Sequence, residues 1–379
     1  MIHKIVLNNL KTYNEIIIYG AGNNGIFAAD YLKSCGISVN AFVDADIRKQ
    51  GTVIRNIKCL GVEDVFPQDG TCLIISPLSE NKALVKKMKQ LGFQNIYSWD
   101  EIKYFIRMDG KLKKRYLEEY VEESKLLKLN KRYKDMYSGK RCFILGTGPS
   151  ISKQNLQLLK DEYVFTVNQF SRLPQFADVM TNFHVWNDSG YFLYENDESV
   201  MYDRIETMKK VGNKAICFFP YNKAYEFVKK YNLEKVLQIN YYHEHEQIEI
   251  FKENLDITSL LPEVGTVVLT AVNIAFYMGF SEIYLLGCDC TDILTVISSK
   301  NKTLAKIEYS YPENDNVKNQ VKNMLADRPL EYIYAMQAKK FEAFRLLGEI
   351  CGESGVYLAN CTEGGILEGI PRMKYESLF

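Results

Sequence analysis

The stretch Arg141-Cys142-Phe143-Ile144-Leu145-Gly146-Thr147-Gly148-Pro149-Ser150 decides the fold, because an apolar strand runs directly into a glycine turn. Gly146 and Gly148 have no Cβ, which lets the backbone turn sharply and lets an anion approach its amides. Pro149 and Ser150 suit the first turn of a helix, whose free N–H groups attract phosphate. The stretch therefore predicts a strand, a phosphate-binding turn and a helix over residues 150–159.

Composition excludes several classes of protein. The 379 residues include 47 basic and 47 acidic side chains, so no global field favours nucleic acid, and membrane contact is at most peripheral. The nine cysteines show no zinc-like spacing, which indicates reduced thiols. The first residues lack the apolar core of a signal peptide, and no apolar run reaches the roughly twenty residues of a membrane span. We expect a cytoplasmic protein, with the inner face of the membrane as an alternative.

Alternating strand and helix patterns predict an α/β protein made of two Rossmann-like, doubly wound parallel-sheet domains joined by a helical connector. The predicted domains are residues 1–104 and 140–379, with the connector at 105–139. Its segment 111–137 is rich in Lys and Glu and lacks Gly and Pro, which predicts a helix with a solvated charged face. A dimerisation helix, and with it a homo-oligomer, is the alternative.

The second domain shows six strand patterns and five helix patterns. The predicted strands are 142–145, 163–167, 215–219, 236–239, 282–286 and 356–359. The predicted helices are 150–159, 205–211, 224–231, 267–278 and 331–350. A polar stretch, Thr291 to Arg328, follows the fifth strand and is interpreted as a mobile lid.

The N-terminal domain contains a dinucleotide-type fingerprint, Gly20-x-Gly22-x-x-Gly25, after the strand Ile16–Tyr19, with Asp44 about twenty residues further on. The alternative is a turn kept for packing that binds a sugar nucleotide, another small ligand or nothing. The residues predicted to bind a ligand are Gly20, Gly22, Asn23, Asn24, Gly25 and Asp44.

This segment resembles the N-terminal domain of PglD-type sugar acetyltransferases of bacterial surface-polysaccharide pathways. The residues that carry the likeness are Tyr19-Gly20-Ala21-Gly22, Phe42-Val43-Asp44-Ala45-Asp46, Lys49-Gln50-Gly51 and Gly61-Val62-Glu63-Asp64. The resemblance implies a domain that holds part of a sugar nucleotide. No left-handed β-helix domain follows, so we do not expect acetyltransferase activity.

Polar and small residues follow several strands of the second domain. Because the carboxyl ends of parallel strands meet at one edge of a sheet, these residues predict a nucleotide cleft. The nucleotide-binding candidates are Gly146, Thr147, Gly148, Pro149, Ser150, Asn168, Gln169, Gly265, Thr266, Asp289 and Thr362.

The same series resembles the DUF115 family, which includes the motility accessory factors and is related to the sialyltransferases of glycosyltransferase family 42. Its motifs are Gly146–Ser150, Asn168-Gln169, Gly265-Thr266, Leu286–Asp289 and Asn360-x-Thr362-Glu363-Gly364-Gly365. The resemblance covers most of residues 140–379 and implies a CMP-activated nonulosonic acid donor and a hydroxyl acceptor. It also implies that the nucleotide and its phosphate are held by Gly146, Gly148, Pro149, Ser150, Asn168 and Gln169, with Asp289 at the ribose or base side.

The chain departs from the family 42 pattern. No histidine follows His245, so the lid histidine of those enzymes is missing, and Thr291 stands in place of a phosphate-binding tyrosine. Tyr309 and Tyr311 are the candidates for leaving-phosphate contacts. His184 is a candidate general base, with a hydrogen-bonded structural histidine as the alternative. Asp188 and Glu363 are candidates for deprotonating the acceptor hydroxyl.

The run His243-Glu244-His245-Glu246 invites a metal interpretation, but its acidic neighbours favour an exposed loop or helix start, and we predict no metal site there. Asp188, Asp289, Asp292 and Glu363 are candidates for a divalent ion, Mg²⁺ or Mn²⁺, that neutralises donor phosphates. Capping and turn formation are the alternatives for each of them.

These observations predict a bacterial glycosyltransferase of surface-glycan or glycoprotein assembly. Its partners would be a nucleotide-activated sugar donor, with CMP-linked nonulosonate first, and a hydroxyl of a glycan or protein. One alternative is a pyrophosphokinase that uses ATP and Mg²⁺, since archaeal pterin pyrophosphokinases share the DUF115 framework. Another is a sugar-nucleotide-binding scaffold without activity.

Overall fold

The computed structural model describes residues 9–76, 82–99, 102, 110–188, 191–192, 198–299, 302–305 and 330–379. The chain divides into two units, Met1–Arg115 and Tyr116–Phe379. Within the described part of the chain, none of the helices combines the length and the apolar character that a membrane crossing requires.

The first unit is built on a six-stranded sheet in the order β3-β4-β2-β1-β5-β6. All pairs are parallel except the β3–β4 hairpin. The strands β1 and β5 are short apolar runs at the centre, and their buried side chains form the core. The elements are β1 (Glu15–Tyr19), α1 (Asn23–Ser34), β2 (Ala41–Val43), β3 (Val53–Ile54), β4 (Ile57–Leu60), β5 (Thr71–Ile75), α2 (Lys82–Gln90) and β6 (Asn95–Ser98).

The second unit contains an eight-stranded, wholly parallel sheet in the order β12-β11-β10-β9-β8-β7-β13-β16. Its strands are β7 (Arg141–Leu145), β8 (Tyr163–Val167), β9 (Phe183–Val185), β10 (Ile216–Pro220), β11 (Gln238–His245), β12 (Leu260–Pro262), β13 (Glu282–Leu286) and β16 (Tyr357–Asn360). A separate antiparallel hairpin joins β14 (Val296–Ser299) to β15 (Lys302–Ala305).

Helices cover both faces of this sheet. The helices are α3 (Gly110–Glu119), which contains the boundary between the units, α4 (Val121–Lys128), α5 (Glu198–Val211), α6 (Tyr221–Lys230), α7 (Val267–Tyr277) and α8 (Leu330–Glu353). Buried residues of α7 and α8 form one core with the sheet, and those of α4, α5 and α6 form another. The α/β prediction with parallel sheets is confirmed.

The order of the strands places a switch point between β7 and β13. From β7 the chain builds the sheet outward through β8 to β12, and then returns to add β13 on the other side of β7. The connections that follow β7 and β13 therefore lead to strands on opposite sides of this pair, β8 and β16, and open α/β sheets bind ligands at such a point.

Five of the six predicted strands of the second domain lie within one residue of their predicted ends, whereas the predicted strand 236–239 shares only two residues with β11. The predicted helix over 150–159 is wrong, since the chain forms two 3₁₀ segments there, Pro149–Lys153 and Leu156–Leu159. In the second unit, the strands β9 and β12 and the hairpin β14–β15 had not been predicted. Most of the predicted lid lies outside the described residues.

The predicted solvated face of residues 111–137 is wrong where α4 packs against β11. Leu127 is fully buried, and the carboxylate of Glu123 is buried against Nδ1 of His243 at 2.5 Å. Beyond α4, Asn130 is also buried, and its amide donates to the carbonyls of Tyr241 and Ile257 at 2.7 and 2.9 Å. These residues are part of the core of the second unit.

Candidate nucleotide-binding cleft

A cleft of about 500 Å³ opens at the switch point of the second unit, between the ends of β7 and β13 and the starts of α7 and α8. Nine predicted site residues line it: Gly146, Thr147, Gly148, Pro149, Asn168, Asp188, Gly265, Thr266 and Asp289. Asp292, a candidate for a divalent ion, also lines it. The lining further includes polar residues that had not been predicted as site residues, among them Asn187, Lys223, Glu244, Glu263, Gln337 and Lys340.

The glycine turn after β7 is packed against the loop after β13. The N–H of Gly146 donates to the carbonyl of Leu286 at 2.8 Å, and that of Gly148 donates to Gly287 at 3.0 Å. A Cβ on Gly146 would lie 2.5 Å from the carbonyl oxygen of Gly287, so glycine is required for this close approach. The expected cradle of free amides is therefore wrong for these two residues, because both N–H groups are already used within the protein.

Asp289 occupies the position where the phosphate was expected. Its carboxylate accepts from the hydroxyl of Ser150 at 2.8 Å and from the backbone N–H of Ser150 at 3.3 Å. A Cβ on Gly148 would lie 2.0 Å from Oδ2 of Asp289, so the carboxylate lies directly over the turn. Behind it, the carbonyl of Asp289 accepts from the N–H of Ile366 at 2.9 Å. Asp289 thus holds the two loops of the switch point together.

Removal of this carboxylate is expected to destabilise the second unit. Asp289→Ala leaves the buried N–H and hydroxyl of Ser150 without their acceptor, which should cost about 1–3 kcal/mol of unfolding free energy. Ser150→Ala removes only the hydroxyl bond and should cost less. Urea denaturation followed by circular dichroism measures both, and an Asp289→Ala curve that overlays the wild-type curve would contradict the assigned role.

The start of α7 forms a second wall of the cleft. Among the residues that the structure describes, no acceptor takes the N–H groups of Val267 and Val268, and both residues line the cleft. Beside them, Gly265 approaches the backbone of Lys340 on α8. The buried ammonium of Lys340 lies 2.9 Å from Asp292, which also accepts from the side-chain amide of Gln337 at 2.6 Å. This wall offers helix N–H groups and one ammonium to an anion.

Asn168 and Asn187 form the polar wall next to the glycine turn. Asn168 has a φ of 44°, in the left-handed region that asparagine tolerates better than most residues. Its side-chain oxygen accepts from the N–H of Asn187 at 3.1 Å. The side-chain oxygen of Asn187 accepts in turn from the ammonium of Lys223 at 3.0 Å. Local hydrogen bonds therefore fix the amides of this wall.

The structure corrects His184 as a general base. The ring is fully buried, and burial lowers its pKa from 6.5 to about 3, so the imidazole is neutral. Because the carbonyl of Asn168 can only accept, Nε2 of His184 carries the proton and donates to it at 3.0 Å, while Nδ1 accepts from the hydroxyl of Thr166 at 2.7 Å. His184 supports the unusual backbone of Asn168 and does not line the cleft.

Glu244 is the residue of the cleft that sequence reasoning missed. The run His243 to Glu246 was expected in an exposed loop or helix start, but its first three residues end the buried strand β11. Glu244 is 7% exposed and lines the cleft. Burial raises its pKa from 4.5 to about 7, against the opposing effects of Lys223, Thr270 and Asn187. The aromatic pair Tyr241-Tyr242, of a residue type that favours strands, was the signal that the strand continues beyond residue 239.

The other candidates fall outside the cleft or at its rim. Asp188 is exposed at the rim. Glu363 is exposed and does not line the cleft, because it follows a buried turn in which the Thr362 hydroxyl accepts from the N–H of Cys288 at 2.9 Å. Thr362, Ser150 and the buried Gln169 are likewise absent from the lining. Tyr309 and Tyr311 lie outside the described residues.

The acidic residues of the cleft do not assemble into a metal site. Asp289 is bound to Ser150, and Asp292 forms an ion pair with Lys340. Within the described ranges, no three His, Cys, Asp or Glu side chains are grouped so as to hold a metal ion.

In the first unit, side chains of the protein itself form hydrogen bonds with the glycine fingerprint turn. Asp44 accepts from the N–H of Ala21 at 2.8 Å and from the ammonium of Lys49 at 2.9 Å. Burial alone would raise the pKa of Asp44, but these donors and the N–H of Asp46 lower it below 3.8. Ser76 donates from its hydroxyl to the carbonyl of Gly20 at 3.0 Å.

The remaining fingerprint residues pack in the same turn. A Cβ on Gly25 would lie 1.7 Å from the carbonyl oxygen of Gly20, whereas one on Gly22 would meet nothing within 4 Å. Asn23 begins α1, and the side-chain amide of Asn24 donates to the carbonyl of Ser76 at 3.4 Å. These contacts match the packing alternative, and ligand binding by this unit stays a prediction.

The comparison with family models gives a match that lies mainly in the second unit. The family model described as 6-hydroxymethylpterin diphosphokinase MptE-like matches residues 114–293, which confirms the relation to the DUF115 family for this segment. Among solved structures, the chain is similar to the sialyltransferase CstII from Campylobacter jejuni in complex with a substrate analogue, cytidine-5′-monophosphate. Sequence identity is 15%, the match covers 62% of this chain and 87% of that chain, and the TM-score is 0.31. The comparison with curated proteins finds no match.

Proposed function

We propose that the second unit is a transferase that moves a sugar from a nucleotide-activated donor to a hydroxyl of an acceptor. The observation that carries the proposal is the switch-point cleft, in which the free N–H groups at the start of α7 and the ammonium of Lys340 line one wall. Asn168 and Asn187 line it with amide groups. Such a cleft suits a phosphate-containing ligand with polar groups beside the phosphate.

The α7 wall fits the charge that develops in this reaction. When an acceptor oxygen attacks the sugar, the bond to the nucleotide phosphate breaks and the phosphate gains negative charge. Fixed donors at a helix N-terminus and a nearby ammonium stabilise such a charge without having to reorganise. The ion pair between Lys340 and Asp292 keeps the ammonium in the cleft before a donor arrives.

A CMP-linked nonulosonate is the donor that we propose first. The resemblance of residues 140–379 to the DUF115 and family 42 proteins implies it. In addition, a CMP-linked sugar donor releases CMP, which carries a single phosphate group. The α7 wall offers one set of N–H groups and one ammonium for that phosphate.

A diphosphokinase is the second candidate, and the family match favours it. Transfer of a diphosphate from ATP needs a divalent cation held near the phosphates by carboxylates. In the described residues, Asp289 is bound to Ser150 and Asp292 to Lys340, so the acidic residues of the cleft do not fit a Mg²⁺ site as they stand. We therefore derive no step through a metal.

Titration calorimetry of the full chain with CMP, CDP, UDP, NAD and ATP plus MgCl₂ tests the proposal. We expect CMP to bind, and Lys340→Gln to weaken its binding about tenfold, because one charge-assisted hydrogen bond is worth roughly 1.5 kcal/mol or more. Lys339→Gln is the matched control, since Lys339 is the exposed neighbour on α8 and does not line the cleft.

Three results would contradict this assignment. Binding of ATP with Mg²⁺ but not of CMP would favour the diphosphokinase. An unchanged CMP affinity in Lys340→Gln would show that the phosphate of CMP does not bind at the α7 wall. A protein that binds CMP and CMP-sugars without any turnover would instead be the scaffold.

A further inference from the structure

Glu244 lies on the cleft side of β11 because side chains alternate along the strand. Tyr242 and Glu244 face α7: Tyr242 belongs to the core that includes α7, and Glu244 bonds to Thr270 of that helix. Tyr241 and His243 face the opposite side, toward α6 and α4. The strand therefore delivers one carboxyl group to the inner wall of the cleft.

Two donors hold this carboxyl group in place. The hydroxyl of Thr270 donates to Oε1 at 2.6 Å, and the side-chain amide of Asn187 donates to Oε2 at 3.0 Å. The same amide also donates to the hydroxyl of Thr270 at 3.0 Å, which joins the three residues in one network. The carboxyl group is therefore fixed in orientation and does not need to reorganise to act on a ligand.

Charged groups near Glu244 act on the ionisation of its carboxyl group in opposite directions. Lys223 of α6 favours the carboxylate, whereas Glu263, in the loop after β12, opposes it. Asp188, at the rim after β9, carries a further carboxylate on the same cleft. With burial as the main cause, the pKa of Glu244 rises to about 7, close to the pH at which a general base works best.

Three of the earlier candidates, Asp289, Asp292 and His184, are less suited to this role. Asp289 is bound to Ser150, and Asp292 to Lys340 and Gln337. His184 is buried away from the cleft and neutral.

We propose that Glu244 accepts the proton of the acceptor hydroxyl during transfer, an inference that rests on the proposed function. The acceptor O–H bond breaks and its proton moves to the carboxylate of Glu244. The acceptor oxygen forms a bond to the anomeric carbon, and the bond from that carbon to the phosphate oxygen breaks with its electron pair on the leaving nucleotide. Glu244 then returns its proton to solvent through the open cleft.

The experiment uses the full chain and CMP-N-acetylneuraminate, with water as the acceptor, and measures release of CMP between about pH 5.5 and 8.5. We expect kcat/KM to rise with pH and to level off above about pH 7, as the carboxylate forms. Glu244→Gln should lower kcat by about 10²–10⁴ and abolish this rise, while the affinity for CMP stays within about twofold. Glu246→Gln is the control, an exposed carboxyl group two positions further along the chain that does not line the cleft and should leave kcat within about twofold.

The outcomes separate the two proposals. Release of CMP by the wild type and by Glu244→Gln at similar rates would overturn the role of Glu244 and leave the transferase standing. If the wild type binds CMP but does not release CMP from CMP-N-acetylneuraminate, the proposed sugar transfer is overturned. The proposed role of Glu244 is then overturned as well.

Discussion

Glu244→Gln is expected to raise the free energy of unfolding of the second unit by about 2 kcal/mol at about pH 8.5. The folded state raises the pKa of this buried carboxyl group from 4.5 to about 7. Ionising it in the folded protein therefore costs about 3 kcal/mol relative to the unfolded chain. Glutamine avoids that cost but loses one acceptor for Thr270 or Asn187, which takes back about 1 kcal/mol.

The sign of the pH dependence makes this prediction specific. Between pH 4.5 and about 7 the folded state keeps a proton that the unfolded state releases, so wild-type stability falls as the pH rises through that window. The curves for wild type and Glu244→Gln should meet near about pH 5 and separate above it. Urea denaturation at several pH values measures this, with Trp99→Phe in both proteins so that fluorescence reports the buried Trp186 of the second unit. A stability difference that does not change with pH would contradict the raised pKa.

Gly25→Ala is expected to unfold or severely destabilise the first unit, by more than about 3 kcal/mol, because overpacking against fixed backbone is costly. The new Cβ would lie 1.7 Å from the carbonyl oxygen of Gly20, and backbone cannot move aside as a flexible side chain can. Gly22→Ala is the matched control in the same motif, since a Cβ there meets nothing within 4 Å. It should change stability by no more than about 1 kcal/mol.

The chain offers a clean reporter for this comparison. It has two tryptophans, Trp99 in the first unit and Trp186 in the second, so Trp186→Phe leaves Trp99 as the fluorescent probe of the first unit. Equal unfolding midpoints for Gly25→Ala and Gly22→Ala would show that the turn can open, contrary to its packing in the structure.

The parts of the fold that the sequence predicts are those with strong local patterns. The strands β7, β8 and β13 are apolar runs buried on both faces of a parallel sheet, and their residue types alone indicate this. By contrast, β9 and β12 have only three residues each, too few for a pattern. The helix expected from Ser150 is interrupted at Gln154, where the backbone is extended and the side-chain amide donates to the carbonyl of Cys361, 207 positions away.

The candidate site shows the same limit. Its location followed from strand ends and glycine turns, and nine of the predicted residues do line the cleft. What could not be predicted is which polar groups are already paired. His243 and Glu123 are 120 positions apart, so a charged run that suggests solvent exposure is in fact satisfied inside the protein. The importance of Glu244 depends in the same way on Thr270 and Asn187, which come from other elements.

The return of the chain to β7 has a consequence for synthesis on the ribosome. Until β13 emerges, β7 has a partner on one side only, and an open strand edge invites incorrect pairing. The nascent chain that ends after β12 contains six of the eight strands. It also lacks the Gly287–Asp289 loop and Lys340 of α8, which line the cleft. The nucleotide binding that we propose would therefore require a finished second unit, and by mass action a ligand that binds only this state would favour the completed fold.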